Sequence, residues 1–332
     1  MAEQHRRPTL MDVAAAAGVS RALVSIVMRG APGASESTRQ KVLEAAEQLG
    51  YRPDSRARLL RSSRTKLLGV SFSISHPFHA ELVDAAYGGA ESRGYDIALS
   101  AVTSGRSEAS GVQSLLDLGC EALILISPTL KEDELTGYAR RVPVVSLLRD
   151  DVGQAVDSVS SDDHAGIRLA VEHLAALGHQ KIVHVDGGTA VSAAPRRAEF
   201  NREMERRGLE PRVIPGGPYE EDGLRACELL RAECPTAVVA FNDRTALGVM
   251  EGLRAAGLRV PADVSVVGYD DSQFARLSYV QLTSVSQDAP LLAEAAVDVA
   301  VGRLEGEQPP SHVIRTPHLV VRTTTAPAAT NP

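Results

Sequence analysis

Apolar residues recur at helical spacing through the first fifty residues and predict three short helices there. The first spans residues 10–16 behind Thr9, a favoured N-cap residue, and the second follows Ser20, another such residue. The third spans residues 36–49. The side chains expected to face a shared core are Leu10, Val13 and Ala14, then Leu23, Val24 and Val27, then Val42, Leu43, Ala46 and Leu49. Helices this short persist only when they pack together, so the pattern predicts a compact three-helix domain at residues 1–50.

From residue 67 onward, short apolar runs of strand length alternate with amphipathic stretches. The predicted strands span 67–74, 95–101, 122–126, 142–147, 181–186, 212–215, 237–241 and 264–269. The predicted helices span 77–93, 107–118, 131–140, 163–177, 194–207, 220–232 and 244–256. Such alternation predicts parallel sheets with helices on both faces. Because the series restarts after Asp162, we expect two similar doubly wound lobes in an α/β body.

The all-α head has the arrangement of a helix-turn-helix domain, in which two short helices joined by a tight turn, here with Gly18, are braced by a third. In such a domain the second helix enters the DNA major groove with its N-terminal end first. An arginine there suits guanine and an alanine suits a thymine methyl. The expected base-reading residues are Arg21, Ala22, Ser25, Ile26 and Arg29, and the expected phosphate contacts are Thr9, Ser20 and Thr38. The alternative is a three-helix domain that binds protein.

Residues 51–66 form a basic linker with the sequence YRPDSRARLLRSSRTK. A helix of about two turns after Pro53 is too short to stand alone and should fold only against a partner. Adjacent leucines beside arginines suit an apolar wedge in a minor groove, with the arginines on flanking phosphates. The residues expected to contact DNA here are Arg56, Ala57 and Leu60. The alternative is an ordinary flexible linker with an accidental leucine pair.

The charged residues are distributed unevenly between the head and the body. Residues 1–66 hold 12 Lys+Arg and 6 Asp+Glu, a net charge of +6, whereas the other 266 residues carry a net charge of −13 and the 332-residue chain −7. A basic head on an acidic body favours a polyanion as the partner of the head alone. The alternative is a compositional bias, since the chain has 31 Arg against 4 Lys.

The composition also indicates the cellular compartment in which the protein works. No apolar run approaches the roughly 18 residues of a membrane span, and the polar N-terminus is not a secretory signal. We therefore expect a cytoplasmic, nucleoid-associated protein with no membrane partner. The three cysteines, Cys120, Cys227 and Cys234, lack metal-type spacing and are expected to be buried thiols in a reducing compartment.

Polar residues follow several predicted strands, at the sheet edge where doubly wound folds bind ligands. Their paired donors and acceptors suit a polyhydroxylated or amide-bearing small molecule, and aromatic residues among them offer a stacking face. The candidate residues are Ser75, His76, Phe78, Ser127, Asp150, Arg196, Tyr219, Asn242 and Asp270. Structural roles remain the alternative for several of them. Asn242 can cap a helix, Asp270 can cap a turn, and Phe78 can belong to the core.

Motifs of common enzymes are missing. The sequence has no P-loop, no G-x-G-x-x-G after a strand, no H-E-x-x-H, no C-x-x-C and no G-x-S-x-G. Nothing in it can be named as a nucleophile, a general base or a metal ligand. Missing motifs do not by themselves exclude an enzyme, but the protein that we expect is not an enzyme and has neither a cofactor nor a metal site.

Several segments together resemble the lactose-repressor (LacI/GalR) family of bacterial transcription regulators. In the head and linker they are T-L-M-D-V-A-A-A-A-G-V-S (Thr9 to Ser20), L-V-S (Leu23 to Ser25), S-x-x-T-R-x-K-V (Ser35 to Val42) and G-Y-R-P-D with A-R-L-L (Gly50 to Leu60). In the body they are V-E-H-L-A-A-L-G-H-Q-K-I (Val171 to Ile182), A-F-N-D-R-T-A-L-G (Ala240 to Gly248), V-P-A-D-V-S-V-V-G-Y-D-D (Val260 to Asp271) and L-T-S-V-S-Q-D (Leu282 to Asp288).

The resemblance implies a periplasmic-binding-protein-like body behind the helix-turn-helix head. Its implied divisions are 1–50 for the head, 51–66 for a hinge helix, 67–160 with 288–316 for the first lobe, and 161–287 with 317–332 for the second lobe. It places Arg21 and Ala22 at the operator-specificity pair and Leu60 at the intercalating leucine. It also places Arg196, Asn242 and Asp270 at effector-contacting positions, with Tyr219 as the stacking aromatic.

Four positions depart from the family pattern. The family usually has arginine at the position of Ile26, asparagine at that of Arg29, asparagine at that of Asp54, and glycine at that of Glu199. The family's tetramers use a C-terminal leucine-repeat helix, whereas this chain ends TTTAPAATNP, which favours a homodimer.

Together these features predict a repressor of transcription that binds a near-palindromic operator under the control of a small effector, with a sugar or sugar derivative favoured. The rival interpretations are a solute-binding protein and a sugar-modifying enzyme with an unrelated basic head.

Overall fold

The structure, a computed structural model, describes residues 8–28, 30–51, 64–306 and 309–328. Within this part the chain forms two compact units, residues 1–65 and 66–332. Four predicted DNA contacts, Arg29, Arg56, Ala57 and Leu60, lie outside the described residues.

The first unit contains the three expected helices, α1 (Leu10–Ala17), α2 (Arg21–Met28) and α3 (Glu36–Gln48). Thr9 caps α1 in a reciprocal capping box, because its Oγ1 accepts from the backbone N–H of Asp12 and its own N–H donates to Asp12 Oδ2 at 2.7 Å. Gly18 ends α1 in the left-handed conformation, with φ of 65°, which only glycine adopts at no steric cost. Ser20 accepts from the N–H of Leu23 at 3.2 Å and so caps the second helix.

The core of this unit joins one face of each helix through seven buried side chains. They are Val13, Ala14, Val24, Val27, Val42, Ala45 and Ala46. The prediction of Leu43 and Leu49 as core residues is wrong, since they are 45% and 38% exposed. Val42, Ala45 and Ala46 form one stripe of three- and four-residue spacing; Leu43 lies off that stripe, and α3 ends before Leu49.

The first lobe of the second unit is a six-stranded parallel sheet in the order β11-β5-β4-β3-β1-β2. Its strands are β1 (Leu67–Ser73), β2 (Asp96–Val102), β3 (Ala122–Ile126), β4 (Val144–Leu147), β5 (Asp157–Ser161) and β11 (His312–Arg315). Its helices are α4 (Pro77–Ser92), α5 (Glu108–Asp117), α6 (Glu132–Ala139) and α11 (Ala289–Glu305). Separate apolar clusters cover the two faces, one under α4 and α11 and the other under α5 and α6.

The second lobe has a sheet in the order β12-β10-β9-β8-β6-β7, in which β12 runs antiparallel to β10. Its strands are β6 (Ile182–Val185), β7 (Arg212–Ile214), β8 (Ala237–Ala240), β9 (Ser265–Asp270), β10 (Thr283–Ser286) and β12 (His318–Val320). Its helices are α7 (Asp163–Ala176), α8 (Ala193–Arg206), α9 (Glu220–Glu233) and α10 (Asp243–Ala255). The chain passes between the lobes after β5, after β10 and after β11.

Strand β5 is one of four strands that the apolar pattern does not predict. It reads DSVSS, yet all five residues are buried because the strand lies between β4 and β11 inside the sheet. The expectation of three buried thiols is also wrong for Cys234, which is exposed at the end of α9, while Cys120 and Cys227 are buried.

Among the described residues, no single helix has the length and apolarity that a membrane span requires; α1 and α2 meet that test only as a pair, bent by 104°.

Candidate functional site

A cavity of about 460 Å³ opens between the two lobes at the carboxyl ends of their strands. The fold therefore brings ligand-facing loops of both sheets together at the edge that doubly wound proteins use for binding. Seven of the nine predicted effector residues line this cavity: His76, Phe78, Ser127, Arg196, Tyr219, Asn242 and Asp270. Ser75 and Asp150 do not line it, and border two neighbouring cavities instead.

Arg196 is the buried cation of the site. It donates through Nε to Asp163 Oδ1 at 2.7 Å and through Nη1 to the carbonyl oxygen of Phe241 at 2.8 Å. Its guanidinium lies 3.5 Å from the ring centroid of Tyr269. Burial is the largest single influence and lowers the pKa of Arg196, but Asp163, Tyr269 and Asp270 together outweigh it and leave the pKa above its ordinary value. The side chain is therefore a fixed charge, and Nη2 is the nitrogen left to meet a ligand.

Asn242 caps a helix and also lines the cavity, so its position is compatible with both roles that the sequence left open. Its Oδ1 accepts from the N–H of Thr245 at 2.8 Å, which caps α10, and its Nδ2 donates to the carbonyl oxygen of Pro218 at 3.1 Å. A primary amide has two N–H groups, so one remains for a ligand in the cavity that Asn242 lines.

Asp270 stands at the end of β9 in a backbone conformation that L-residues rarely adopt, with φ of 108°. Hydrogen bonds from the next two residues hold it there: the N–H of Asp271 donates to Ser284 Oγ at 3.0 Å, and that of Ser272 to Asp243 Oδ2 at 2.7 Å. Strain of this kind persists only where the surroundings over-determine it. The backbone thus fixes the carboxyl group of Asp270 at the cavity wall.

Burial raises the pKa of Asp270, although the charge of Arg196 opposes the shift. Asp243 beneath it is also buried, accepts from two serines, and has a pKa raised by burial. Gln287 donates through Nε2 to Asp270 Oδ1 at 2.7 Å. A carboxyl group of this kind accepts strongly when ionised and donates when protonated.

The aromatic side of the site joins the two lobes. The ring of His76, from the first lobe, stacks on Tyr219, from the second, with centroids 5.5 Å apart and planes 23° apart. The guanidinium of Arg244 lies over the Tyr219 ring, 4.9 Å from its centroid. It donates both to the carbonyl oxygen of Ser75 and to the carboxylate of Glu220. Burial and then the charge of Arg244 lower the pKa of His76. The imidazole is therefore a neutral stacking partner.

Phe78 is buried in the apolar cluster of the first lobe and also lines the cavity, so its position fits both of its proposed roles. A further link between the lobes lies beside it on α4. Glu81 pairs with Arg276 and accepts from the N–H of Gln273 at 2.6 Å.

The cavity residues that the sequence reasoning did not name include His79, Glu108 and Gln287. Nδ1 of His79 accepts from the N–H of Ser73 at 3.2 Å, so its ring is neutral with the proton on Nε2; burial lowers its pKa to about 3. Glu108 accepts from the N–H and hydroxyl of Thr129, and burial raises its pKa. His79 and Glu108 each lie near the start of a helix that follows a strand, so the helical pattern could have placed them on a buried face. No local motif distinguishes them from ordinary core residues.

Glu199, where the resemblance leads one to expect glycine, is buried in α8. Its Oε2 lies 2.9 Å from Nδ1 of His164 and also bonds Arg202. The charge is thus paired, as a buried carboxylate requires. Among the described residues, no group of three or more His, Cys, Asp or Glu side chains could hold a metal ion.

In the head, most of the described residues predicted to contact DNA lie in or next to α2, and Thr9 and Thr38 lie at the starts of α1 and α3. Ser20, Arg21 and Ala22 are exposed at the first turn of α2, whereas Ser25 and Ile26 on the following turn are half-buried. Thr38 shares a hydrogen bond of 2.8 Å with Ser35 at the start of α3, and Thr9 is held by its capping box. The exposed first turn of α2 is the part that can enter a groove.

Comparison with known proteins decides the family. Residues 9–54 match the model of bacterial regulatory proteins of the lacI family, and residues 171–325 match that of a periplasmic binding protein-like domain. The lactose operon repressor of Escherichia coli is 34% identical over 326 residues, which cover 96% of this chain and 90% of the repressor. The chain belongs to the LacI family. It is therefore a transcriptional regulator with a DNA-binding head and an effector-binding body.

Solved structures of LacI-family proteins share its fold. A LacI transcriptional regulator from a Rhodococcus species is 47% identical, with a TM-score of 0.78, over 80% of this chain and all of that one. The lac repressor dimer bound to operator and the anti-inducer ONPF has a TM-score of 0.85 at 32% identity over 97% of this chain and all of the repressor. The regulator CelR in complex with cellobiose has a TM-score of 0.70 at 31% identity over 96% and 100% of the two chains.

Proposed function

We propose that this LacI-family regulator is a homodimeric repressor that binds a near-palindromic operator and releases or holds it according to a sugar-type effector in the cavity between its lobes. The observation that carries the proposal is that side chains of both lobes converge on one cavity in a chain that also has a LacI-type head. It acts without catalysis, in the cytoplasm at the nucleoid.

For operator recognition, Arg21 and Ala22 are proposed to read base edges, since both are exposed at the N-terminal turn of α2. Thr9, Ser20 and Thr38 would meet phosphates, with Ser25 and Ile26 deeper along the helix face. Further proposed contacts with DNA, all outside the described residues, are Arg29, Arg56, Ala57 and Leu60. The dimer follows the lac repressor, whose solved dimer is bound to operator.

For effector recognition, the seven cavity residues are proposed as contacts. A sugar ring presents hydroxyl groups that donate and accept together with an apolar C–H face. The cavity offers the matching set: the carboxyl groups of Asp270 and Glu108, which accept and when protonated also donate, Arg196 and Asn242 as donors, and the Tyr219 ring as an apolar surface. The lactose operon repressor and the CelR–cellobiose complex are relatives whose names carry sugars.

Control of DNA binding requires that the effector bind two arrangements of the lobes unequally, because a ligand with equal affinity for both shifts nothing. The links that join the lobes, Arg244 to Ser75 and Glu81 to Arg276, belong to the arrangement described here. An effector that stabilises or breaks this arrangement changes the affinity for the operator. Because the coupling is reciprocal, bound operator changes the affinity for the effector by the same factor.

The test starts from the purified full-length chain and a random duplex library, selected at fixed salt and sequenced. The expected result is one enriched, near-palindromic site, whose affinity changes at least tenfold with one neutral sugar. Arg21→Ala should relax base preference at one position per half-site by about 1–3 kcal/mol. Enrichment of no sequence, or an unchanged preference in Arg21→Ala, would refute the assignment of α2 to the groove.

A further inference from the structure

Arg39 on α3 reaches across the head to the end of α2. Its Nη2 donates to the carbonyl oxygen of Ala31 at 3.0 Å, and its Nη1 lies 3.5 Å from the carbonyl oxygen of Val27. The residue is half-buried and is not among those predicted to contact DNA. We propose that Arg39 is a positioning residue for operator recognition, which sets the place of α2 relative to α3. This inference rests on the proposed function, in which α2 reads the operator.

The end of α2 is a place that attracts a cation. The last carbonyl groups of a helix have no partner within it, and here Gly30 and Ala31 supply two N–H donors. Gly30, with φ of 68°, donates to the carbonyl oxygen of Val27 at 3.0 Å, and Ala31 donates to that of Ile26 at 3.1 Å. The last turn of α2 has no basic residue of its own. Arg39 therefore brings a positive charge from another helix to the negative end of the α2 dipole.

Two contacts from one guanidinium group fix a placement that a single contact would leave free. The planar group holds its N–H donors at fixed angles, so it meets the oxygens of Val27 and Ala31 together in only one arrangement. A lysine ammonium is a single point of charge on a flexible stem and imposes no such arrangement. Arg39 thus ties α3 both to the last turn of α2 and to the loop that follows it.

The two helices that Arg39 ties together carry different kinds of proposed DNA contact. Arg21 and Ala22, exposed at the first turn of α2, are proposed to read bases, and Thr38, next to Arg39 on α3, is proposed to meet a phosphate. Phosphate contacts fix the register on the duplex, whereas base contacts carry the sequence information. If the spacing of the helices changes, α2 moves in the groove while α3 stays on its phosphate. Recognition of one sequence is then lost while general affinity for DNA remains.

A direct contact between Arg39 and a phosphate would have a different signature. Each neutralised phosphate contributes about 0.9 to the slope of log affinity against log salt concentration, whatever the DNA sequence. Loss of such a contact lowers the affinity for every duplex by the same factor and makes this slope shallower. Loss of a positioning residue lowers the affinity for the recognised duplex and leaves the slope on other DNA unchanged.

The experiment uses the full-length protein and two duplexes of equal length and base composition. One is the duplex that the unsubstituted protein enriches from a random library, and the other is a scrambled version of it. Fluorescence anisotropy gives the dissociation constants of both over a series of salt concentrations. Arg39→Met removes the donors and keeps an apolar side chain. It should weaken binding to the selected duplex at least tenfold and to the scrambled duplex less than threefold, with an unchanged salt slope on the scrambled duplex.

Two further variants make the comparison specific. Arg39→Lys keeps the charge without the fork of donors, so its affinity for the selected duplex should lie between those of the parent and Arg39→Met. Lys41→Met is the matched control, because Lys41 is an exposed cation two residues further along α3. It should change the ratio of the two affinities by less than twofold.

Equal losses on the two duplexes, a shallower salt slope, or an unchanged affinity for the selected duplex would overturn the proposal. Hydrogen exchange of the α1 and α3 amides shows whether the head of each variant is folded. If Arg39→Met alone unfolds the head, the ratio of affinities in Arg39→Lys decides. An unfolded head in both variants also refutes the proposal, since Arg39 would then maintain the fold and not the spacing of two folded helices.

Failure of this inference is separable from failure of the proposed function. If the unsubstituted protein enriches one duplex and Arg39→Met binds both duplexes as the parent does, the repressor function stands and the positioning role is refuted. If the unsubstituted protein enriches no sequence, the assignment of α2 to the groove and the role of Arg39 are refuted together.

Discussion

Arg196 and Asp163 form an ion pair that joins α8 to the start of α7, with side chains only 5% and 13% exposed. Both charges have been taken out of water, so each depends on the other for compensation, and Arg196 also donates to the Phe241 carbonyl oxygen. This one contact therefore supports the fold of the second lobe and also presents a cation to the cavity.

Replacing Arg196 should affect stability and binding together. Arg196→Met leaves Asp163 as an uncompensated buried charge, so the free energy of unfolding should fall by about 3–5 kcal/mol. Arg196→Lys keeps the charge and should recover part of that loss, without the second hydrogen bond to the Phe241 carbonyl oxygen. Urea unfolding measures both. Equal stability of the methionine variant and the parent would show that the pair is not structurally important.

At Asn242, a pair of substitutions separates the helix cap from the ligand contact. Asn242→Ala should lower the free energy of unfolding by about 1 kcal/mol, because Thr245 loses its capping partner. Asn242→Ser retains a capping oxygen and should lose much less. Both variants lack the Nδ2 donor, so both should weaken effector binding by about tenfold, or about 1.4 kcal/mol. If effector affinity follows stability across the two variants, Asn242 is only a cap.

Stability should fall with rising pH on account of Asp270. Burial raises its pKa to about 8 from the ordinary value of 3.8. Between pH 3.8 and about pH 8, the folded state therefore keeps a proton that the unfolded chain has lost. Unfolding then releases a proton, and the free energy of unfolding decreases by at most about 1.4 kcal/mol per pH unit. Asp270→Asn should flatten this decline in urea midpoints measured from pH 5 to pH 8. Parallel curves for variant and parent would contradict the prediction.

His79 should act in the opposite direction. Its pKa is lowered by burial to about 3 from 6.5, so unfolding takes up a proton between these values and stability falls as pH drops below 6.5. The slope contributed is again at most about 1.4 kcal/mol per pH unit. His79→Asn offers an oxygen that can accept from the Ser73 N–H and does not titrate. Acid unfolding of this variant should begin at lower pH than in the parent; the same onset would exclude His79 as its cause.

Thr9 should determine how well α1 is formed. Thr9→Ala removes the capping hydroxyl, and the head should lose about 1 kcal/mol of stability. Thr9→Ser keeps the hydroxyl and serves as the matched control. Native-state hydrogen exchange of α1 amides in the full-length protein reads this directly, because protection is measured residue by residue. Unchanged protection in the alanine variant would show that the capping box is dispensable.

The sequence alone determined the local order of elements: helical spacing in the head, alternation of strands and helices in the body, and the polar residues after each strand. Their periods are properties of neighbouring residues, which is why Val24, Val42 and the loop residue Asn242 could be named in advance. The motif resemblance supplied what periodicity cannot, namely the expectation that Arg196 and Asp270 match effector-contacting positions.

Only the tertiary structure decided which of these residues meet. The polar strand β5 is buried because of its position between β4 and β11, and His79, Glu108 and Gln287 reach the cavity from elements far apart in the chain. Ser75 and Asp150 follow strands as the other candidates do, yet they border separate cavities. Convergence of this kind depends on how two sheets pack across a cleft. That packing is long-range, so it leaves no periodic pattern in the sequence from which it could be predicted.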